Sequence, residues 1–344
     1  MPAYAYRIVN VFTQARAALS GNPLCVFERA QTLDDQRMQA LALQFNLSET
    51  TFILPSARAN ARVRIFTPGY ELPFAGHPTL GTAHVCRALG LGGDRLTLEM
   101  TAGVIAVRAA GDRWTLQSQS PTWREVPEPR LTIAAMLGLE ETDIGERPLW
   151  VNAGAEQLVV PLQTEAAVRR IRVRTDLLAQ FQSVDGHSMV YVFAPAGSGL
   201  LARFFFPKGS AILEDPATGS ATANLGGWCL AMGRTLPCEF EIAQGEYVGR
   251  PSSLRLQVDA ERRVSVSGDV IELGRGTISL KVARLLLAAS DMDSPMLKDL
   301  AAAAVQFAAL APTTGPSSAV TALVKAVIAL CDQLMASLEG ANAQ

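Results

Sequence analysis

The stretch Arg64-Ile-Phe-Thr-Pro68, followed by His77-Pro-Thr-Leu-Gly-Thr-Ala83, has a counterpart much later in the chain. There, Arg203-Phe-Phe-Phe-Pro207 precedes Asp215-Pro-Ala-Thr-Gly-Ser-Ala221, and the two spacings differ by one residue. In both places arginine, phenylalanine and proline are followed by a polar residue before proline, then by glycine, a hydroxyl residue and alanine. Two unrelated loops would rarely share this order, so the pattern predicts an internal duplication with two pseudo-equivalent lobes.

The segments around this repeat predict a sheet-rich α+β fold. Short runs of β-branched and apolar residues flank two central helices, and few other long helices are indicated. Each lobe is expected to be a curved, mostly antiparallel sheet wrapped around one helix. The predicted strands are residues 4–12, a segment through Val26 that follows a Gly21-Asn-Pro23 turn, and residues 50–54, 61–66, 96–108, 158–162, 189–193 and 254–258.

Three helices are indicated in the part of the chain that holds the repeat. The first spans about residues 33–45, with Asp34 as its cap. The second has Pro78 just inside its start and Gly90 at its end, which matches the usual asymmetry of helix termini. The third contains the pair Gly226-Gly227, which is unfavourable in an isolated helix but suits a close approach of sheet backbone.

The duplication and the composition predict three regions. Residues 1–115 form the N-terminal lobe, to which a strand near 275–283 returns, and residues 116–274 form the C-terminal lobe. Residues 287–344 are rich in alanine and leucine, and a continuous apolar stripe there predicts a helical extension. We expect it to pack on the chain's own surface or to extend a dimer, the alternative being a loosely attached tail.

Composition narrows the class of protein. Lys and Arg number 30 against 32 Asp and Glu, and no stretch combines basic residues with aromatics, so no nucleic-acid partner is expected. The apolar runs fall short of the roughly 18 residues of a membrane span, and the N-terminus lacks a signal pattern. The 5 cysteines form no C-x-x-C pair, which indicates reduced thiols and a cytoplasmic protein.

No cofactor is indicated by the remaining patterns. The glycines lack the strand, G-x-G-x-x-G and helix context of a dinucleotide site. His84 and His187 have no acidic partner at a metal-ligand spacing, so no metal site is predicted. Ser220 does not lie in a G-x-S-x-G elbow and is interpreted as a hydrogen-bonding residue at a helix start.

The two repeat segments are predicted to open helices with unpaired backbone N–H groups and the positive end of the helix dipole. If the duplication brings them together, they form one anion pocket, and a small-molecule carboxylate is its natural ligand. His77 and Asp215 stand at equivalent positions and can transfer protons. The alternatives are a hydrogen-bonded loop histidine and an ordinary N-cap.

Glu49 follows Leu47-Ser48 and precedes the β-rich run Thr50-Thr-Phe-Ile53. A carboxyl at such a loop-to-strand edge can have its pKa raised by desolvation, as proton transfer near neutral pH requires. An isolated glutamate after serine is otherwise a solvated or capping residue.

Six motifs together make the chain resemble the PhzF-like family, which shares the diaminopimelate epimerase fold, over roughly residues 4–283. They are Gly21-Asn-Pro23, Asn46-Leu-Ser-Glu-Thr-Thr-Phe52, Arg64-Ile-Phe-Thr-Pro68, Glu71-Leu-Pro-Phe-Ala-Gly-His-Pro-Thr-Leu-Gly-Thr-Ala83, Glu214-Asp-Pro-Ala-Thr-Gly-Ser-Ala221 and Gly274-Arg-Gly-Thr-Ile278. The resemblance implies an active site between the lobes, a homodimer and a cofactor-independent isomerase. The extension after residue 287 departs from the family pattern.

The resemblance also implies roles for residues of these motifs. Glu49 is the general acid/base, His77, Asp215 and Ser220 assist or bind, and Gly76 and Gly219 supply backbone N–H groups to the substrate. A lyase or epimerase on a different small acid would look identical in sequence. A non-catalytic binding protein of the family is the last alternative, since it is expected to lack the carboxylate or histidine, whereas Glu49, His77 and Asp215 are all present. Racemases of the same fold use two cysteines in the cleft, but no cysteine lies in either helix-start motif, the nearest being Cys86 and Cys229.

Overall fold

β-Strands are the main regular element of the residues that the structure describes, which are 3–209 and 211–280 in a computed structural model. Contacts join Ala3–Ile278 in one compact unit. The strands are β1 Ala3–Val11, β2 Asn22–Phe27, β3 Glu49–Leu54, β4 Ala61–Phe66, β5 Glu71–Leu72, β6 Arg95–Met100, β7 Gly103–Ala110, β8 Arg113–Gln117, β9 Thr122–Glu125, β10 Leu149–Asn152, β11 Glu156–Pro161, β12 Val190–Ala196, β13 Gly199–Lys208, β14 Ala211–Asp215, β15 Cys238–Gln244, β16 Ser252–Val258 and β17 Val264–Ser279. The helices are α1 Asp35–Phe45, α2 Gly76–Ala88, α3 Arg130–Leu137, α4 Glu165–Arg170, α5 Thr175–Leu178 and α6 Gly219–Ala231, and short 3₁₀ turns cover Glu141–Asp143 and Glu246–Val248.

Eight strands close into a ring around helix α2. Successive pairs join β1, β2, β3, β4, β6, β7, β8 and β17, and β17 pairs with β1 again. Only the β2–β3 and β4–β6 pairs of this ring are parallel. Helix α2 packs against β1, β2, β3, β4, β6 and β8, so its apolar residues fill the barrel.

A second run of strands packs against helix α6. It joins β9, β10, β11, β12, β13, β15, β16 and β17, with parallel pairs at β11–β12 and β13–β15. Strand β17 therefore belongs to both runs. The sheet-dominated α+β class is confirmed, while the predicted boundary near residue 115 stays a prediction. The predicted extension over residues 287–344 lies outside the described residues.

The repeated arginines make the same contacts in both halves of the repeat. Arg64 of β4 forms a bidentate ion pair with Glu71 of β5, and its guanidinium carbon lies 5.0 Å from the ring centre of Phe66. Arg203 of β13 pairs in the same way with Glu214 of β14, 4.7 Å from the ring of Phe205. Each pair holds the hairpin that leads to α2 or α6, so the repeated motif has the same structural role in both places.

Most predicted elements are found, with two corrections. The run 96–108 is two strands, because the chain turns back at Thr101-Ala102, and Gly103, which begins β7, has a φ of +128°. The predicted Gly21-Asn-Pro23 turn is wrong beyond Gly21, since Asn22 already begins β2. Gly21 itself has a φ of +79°, and an added Cβ would lie 2.5 Å from the carbonyl oxygen of Val11, so only glycine fits there.

Close packing explains the glycine pair of α6. A Cβ on Gly226 would lie 2.6 Å from a methyl carbon of Val264, and one on Gly227 would lie 2.6 Å from a methyl carbon of Val151. The predicted close approach of helix and sheet is therefore confirmed.

Within residues 3–209 and 211–280, the helices are all too short or too polar to cross a membrane.

Candidate active site

Glu49 and His77 lie side by side where strand β3 and helix α2 both begin. Oε2 of Glu49 is 3.3 Å from Nε2 of His77, and 17% of the Glu49 side chain remains accessible to solvent. The two atoms do not meet in hydrogen-bond geometry, and neither has another partner among the described residues. Buried polar atoms are almost always paired, so these two unpaired atoms single out Glu49 and His77 as candidate site residues.

The surroundings of both groups favour their neutral forms. Burial raises the pKa of Glu49 to about 7, against a smaller opposing effect of the Ser48 hydroxyl. Burial also lowers the pKa of His77 to about 4, opposed by the Asp215 carboxylate and the backbone of Pro23. Pro23 has no N–H, so its backbone can only accept from a ring N–H of His77, which suits a neutral ring with a free lone pair on the second nitrogen.

Asp215 ends strand β14, and donors surround it. Its Oδ1 accepts from Nδ2 of Asn22 at 3.1 Å, and its Oδ2 accepts from the hydroxyl of Thr218 at 2.6 Å. Burial raises the pKa of Asp215 to about 6, and the Glu49 charge adds to this, whereas Thr218, His77 and Asn22 act in the opposite direction. Asp215 therefore responds electrostatically to both His77 and Glu49.

The starts of α2 and α6 meet. A Cβ added to Gly76 would lie 3.9 Å from Cα of Gly219 and 3.9 Å from the backbone nitrogen of Ser220. Neither helix has a side-chain cap among the described residues, so the first N–H groups of both helices remain available to an anion. The predicted meeting of two helix starts is found.

The predicted register of the repeat is wrong by several residues at the helix starts. His77 is the second residue of α2, whereas the second residue of α6 is Ser220. Pro78 lies inside the first turn of α2, but Asp215 lies in β14, before α6 begins. The Pro-x-x-Gly pattern that aligned His77 with Asp215 therefore falls at different structural positions in the two halves. Its glycine is Gly81 in the first half, which lies inside α2 against Leu24 and Val11, whereas in the second half it is Gly219, the first residue of α6.

Ser220 is held by two buried amides. Its hydroxyl oxygen accepts from Nε2 of Gln157 at 3.0 Å, and Oε1 of Gln157 accepts from Nδ2 of Asn224 at 2.9 Å. A hydroxyl that accepts from Gln157 keeps its own hydrogen for donation to a ligand. The amides Gln157 and Asn224 were not foreseen, because no local pattern distinguishes a buried amide.

Other residues at the site were missed by sequence reasoning or given no role. Gln244 donates to the Asp215 carbonyl at 2.8 Å and to the Thr218 hydroxyl at 3.0 Å. Asn22 was recognised only as part of a motif. Cys86 and Cys229 are buried, and burial raises the pKa of each thiol to about 12, which disfavours the thiolate.

The family described as phenazine biosynthesis-like protein (PhzC-PhzF) matches residues 9–276. An uncharacterized isomerase of Pasteurella multocida is 40% identical over 278 residues, covering 80% of this chain and 94% of that protein. The trans-2,3-dihydro-3-hydroxyanthranilate isomerase of Pseudomonas chlororaphis is 36% identical over 292 residues, covering 80% and 99%. A PhzF-family crystal structure from Bacillus anthracis shares the fold, with a TM-score of 0.73 at 21% identity over 81% of this chain and 100% of that one. The chain therefore belongs to the phenazine biosynthesis-like (PhzC-PhzF) family.

Proposed function

We propose that this protein is a cofactor-independent isomerase that moves a carbon-bound proton on a small carboxylate substrate, with Glu49 as the general acid/base. The observation that carries the proposal is the unpaired Oε2 of Glu49, 3.3 Å from Nε2 of His77. A group that removes and returns a proton needs both forms near neutral pH, and a pKa of about 7 provides them.

The neighbouring groups fit the same reaction. Removing a proton beside a carboxylate builds negative charge, which the N–H groups at the starts of α2 and α6 can stabilise. Neutral His77 lies 3.3 Å from the Glu49 carboxyl and adds no positive charge beside it, so it leaves the proton-accepting form of Glu49 unstabilised by an ion pair. Asp215 and Ser220 are assigned to substrate binding or assistance, and Gly76 and Gly219 to backbone donation.

Relatives supply the first candidate substrate. Since three relatives at 36% identity are named trans-2,3-dihydro-3-hydroxyanthranilate isomerase, that acid heads the panel to be tested. The predicted homodimer and the cleft between two lobes belong to the same proposal.

Solvent deuterium tests the reaction. The full chain is incubated in deuterated water with this acid and other small carboxylates, and products are analysed by NMR and mass spectrometry. An isomerase places deuterium on carbon and leaves the composition otherwise unchanged, a lyase changes the mass, and an epimerase returns labelled substrate of opposite configuration. A non-catalytic binding protein leaves every acid unlabelled.

Two variants link the reaction to the site. Glu49→Gln should lower label incorporation by about 100-fold or more, the usual contribution of a general acid/base. Glu99→Gln is the control, because the Glu99 side chain is similarly enclosed at 21% exposure but contacts Ser56 and Arg58. Equal incorporation by both variants would reject Glu49 as the proton-transfer group.

A further inference from the structure

The segment Gly21-Asn22-Pro23 contacts two ionisable groups of the site directly, and it contacts the residue that precedes the third. The Pro23 backbone contacts the His77 ring, and Asn22 contacts both Asp215 and Ser48, the residue before Glu49. No role in the proposed reaction has yet been given to Asn22, although its side chain is buried with 1% exposure.

The Asn22 amide uses both of its ends. Its Nδ2 donates to Oδ1 of Asp215 at 3.1 Å and to the carbonyl of Ala217 at 3.0 Å. Its Oδ1 accepts from the Ser48 hydroxyl at 3.3 Å. Asn22 and Asp215 are 193 residues apart, so this amide bridges distant parts of the chain at the site.

The backbone of Asn22 is fixed independently of these contacts. The carbonyl of Gly21 accepts from Nε of Arg250 at 2.7 Å, and the N–H of Gly21 donates to the carbonyl of Pro251 at 3.0 Å. Asn22 also begins β2, which pairs with β1. A side chain on so well held a backbone can define where its hydrogen-bond partner lies.

An amide suits this position better than a cation would. An arginine or lysine beside Asp215 would form an ion pair and hold the carboxyl in its charged form. A neutral donor orients the carboxylate but adds no charge, so Asp215 stays responsive to its other charged neighbours, His77 of α2 and Glu49 of β3.

We propose that Asn22 is a positioning residue of the active site, which orients the Asp215 carboxylate by donation and ties it through Ser48 to the segment that carries Glu49. The inference rests on the proposed function and deepens it. Gln244 of β15 holds the other side of this contact, since it donates to the backbone carbonyl of Asp215 and to the hydroxyl of Thr218.

The test combines a titration with kinetics, both on the full chain. The Asp215 carboxyl is followed by carbon-13 NMR of aspartate-labelled protein without substrate, its signal being assigned with Asp215→Asn. Asn22→Ala removes the donor to Asp215. If the alanine variant does not fold, Asn22→Ser replaces it in the test, because the serine hydroxyl is too short to reach the Asp215 carboxylate. Asn60→Ala is the control, because that exposed amide loses bonds to Leu91 and Thr97 away from the site.

We expect the Asp215 titration midpoint to rise by about one pH unit in the Asn22 variant, since the ionised form loses a donor. Deuterium exchange should show kcat lowered about 10-fold or more, with a smaller change in KM. Asp215 midpoint and kcat values equal to those of Asn60→Ala would overturn the inference. If wild-type protein exchanges none of the tested acids, the proposed function fails, while the titration still judges the Asn22 contact.

Discussion

Gly76 and Gly219 face each other at the starts of α2 and α6, and a Cβ on Gly76 would come within 3.9 Å of the Gly219 Cα. That distance is ordinary van der Waals contact, so the added carbon fits the protein. It would, however, occupy the space in which the proposed substrate carboxylate meets the two sets of N–H groups. Stability and binding can therefore be separated at this position.

Gly76→Ala should change the free energy of unfolding by less than about 1 kcal/mol, because alanine is also the better helix former. The same variant should raise KM for the substrate about 10-fold or more, since the anion loses close backbone donors. Gly69→Ala is the control, as an added Cβ there meets no atom within 4 Å in the described structure. Unchanged KM in Gly76→Ala would place the carboxylate elsewhere.

Glu49 should make the folded state less stable as pH rises. Its pKa is about 7 in the folded protein and 4.5 for the unperturbed side chain, so between these values the folded state holds a proton that the unfolded state has released. The free energy of unfolding then falls by roughly 3 kcal/mol over this window. Urea unfolding between pH 4.5 and 8 should show Glu49→Gln becoming progressively more stable than wild type.

His77 should give the opposite slope. Its pKa is about 4 when folded against 6.5 unperturbed, so on acidification the unfolded state binds a proton first and the folded state loses stability between these values. His77→Gln should therefore gain stability over wild type as pH falls towards 4.5. Stability differences that stay constant with pH, for both variants, would contradict the assigned environments.

The two arginine–glutamate pairs should differ in their energetic importance. The side chains of Arg203 and Glu214 are 7% and 9% exposed, while those of Arg64 and Glu71 are 16% and 32% exposed. Arg203→Met leaves a buried carboxylate unpaired and should cost about 3 kcal/mol or more. Arg64→Met should cost about 1 kcal/mol, since its partner is better solvated. Denaturant unfolding compares them, and equal losses would contradict this ranking.

Local chemistry made much of the fold predictable. Asp34 caps α1 by accepting from the backbone nitrogen of Arg37, as its position indicated. The alternation of apolar residues located β4 at Ala61–Phe66, and the Gly226-Gly227 pair signalled close packing. Each of these features depends on residues within a few positions of one another or on a steric need of the glycine itself.

The environment of the site was less predictable, because it arises from long-range pairing. Glu49 is enclosed since β3 runs parallel to β2 and α2 lies against both, which the residues around Glu49 do not reveal. The bond between Asn22 and Asp215 depends on the same closure of the sheet. The sequence alignment of the two repeat segments also matched His77 with Asp215 wrongly, because Pro216 precedes α6 whereas Pro78 lies inside α2.

A crystal structure of Glu49→Gln with the substrate carboxylate bound tests the central claim most directly. We predict that carboxylate oxygens lie about 3 Å from backbone nitrogens at the starts of both α2 and α6, with the residue 49 side chain facing the carbon that exchanges its proton. A ligand bound away from the two helix starts, or one whose exchanging carbon points away from residue 49, would contradict the account.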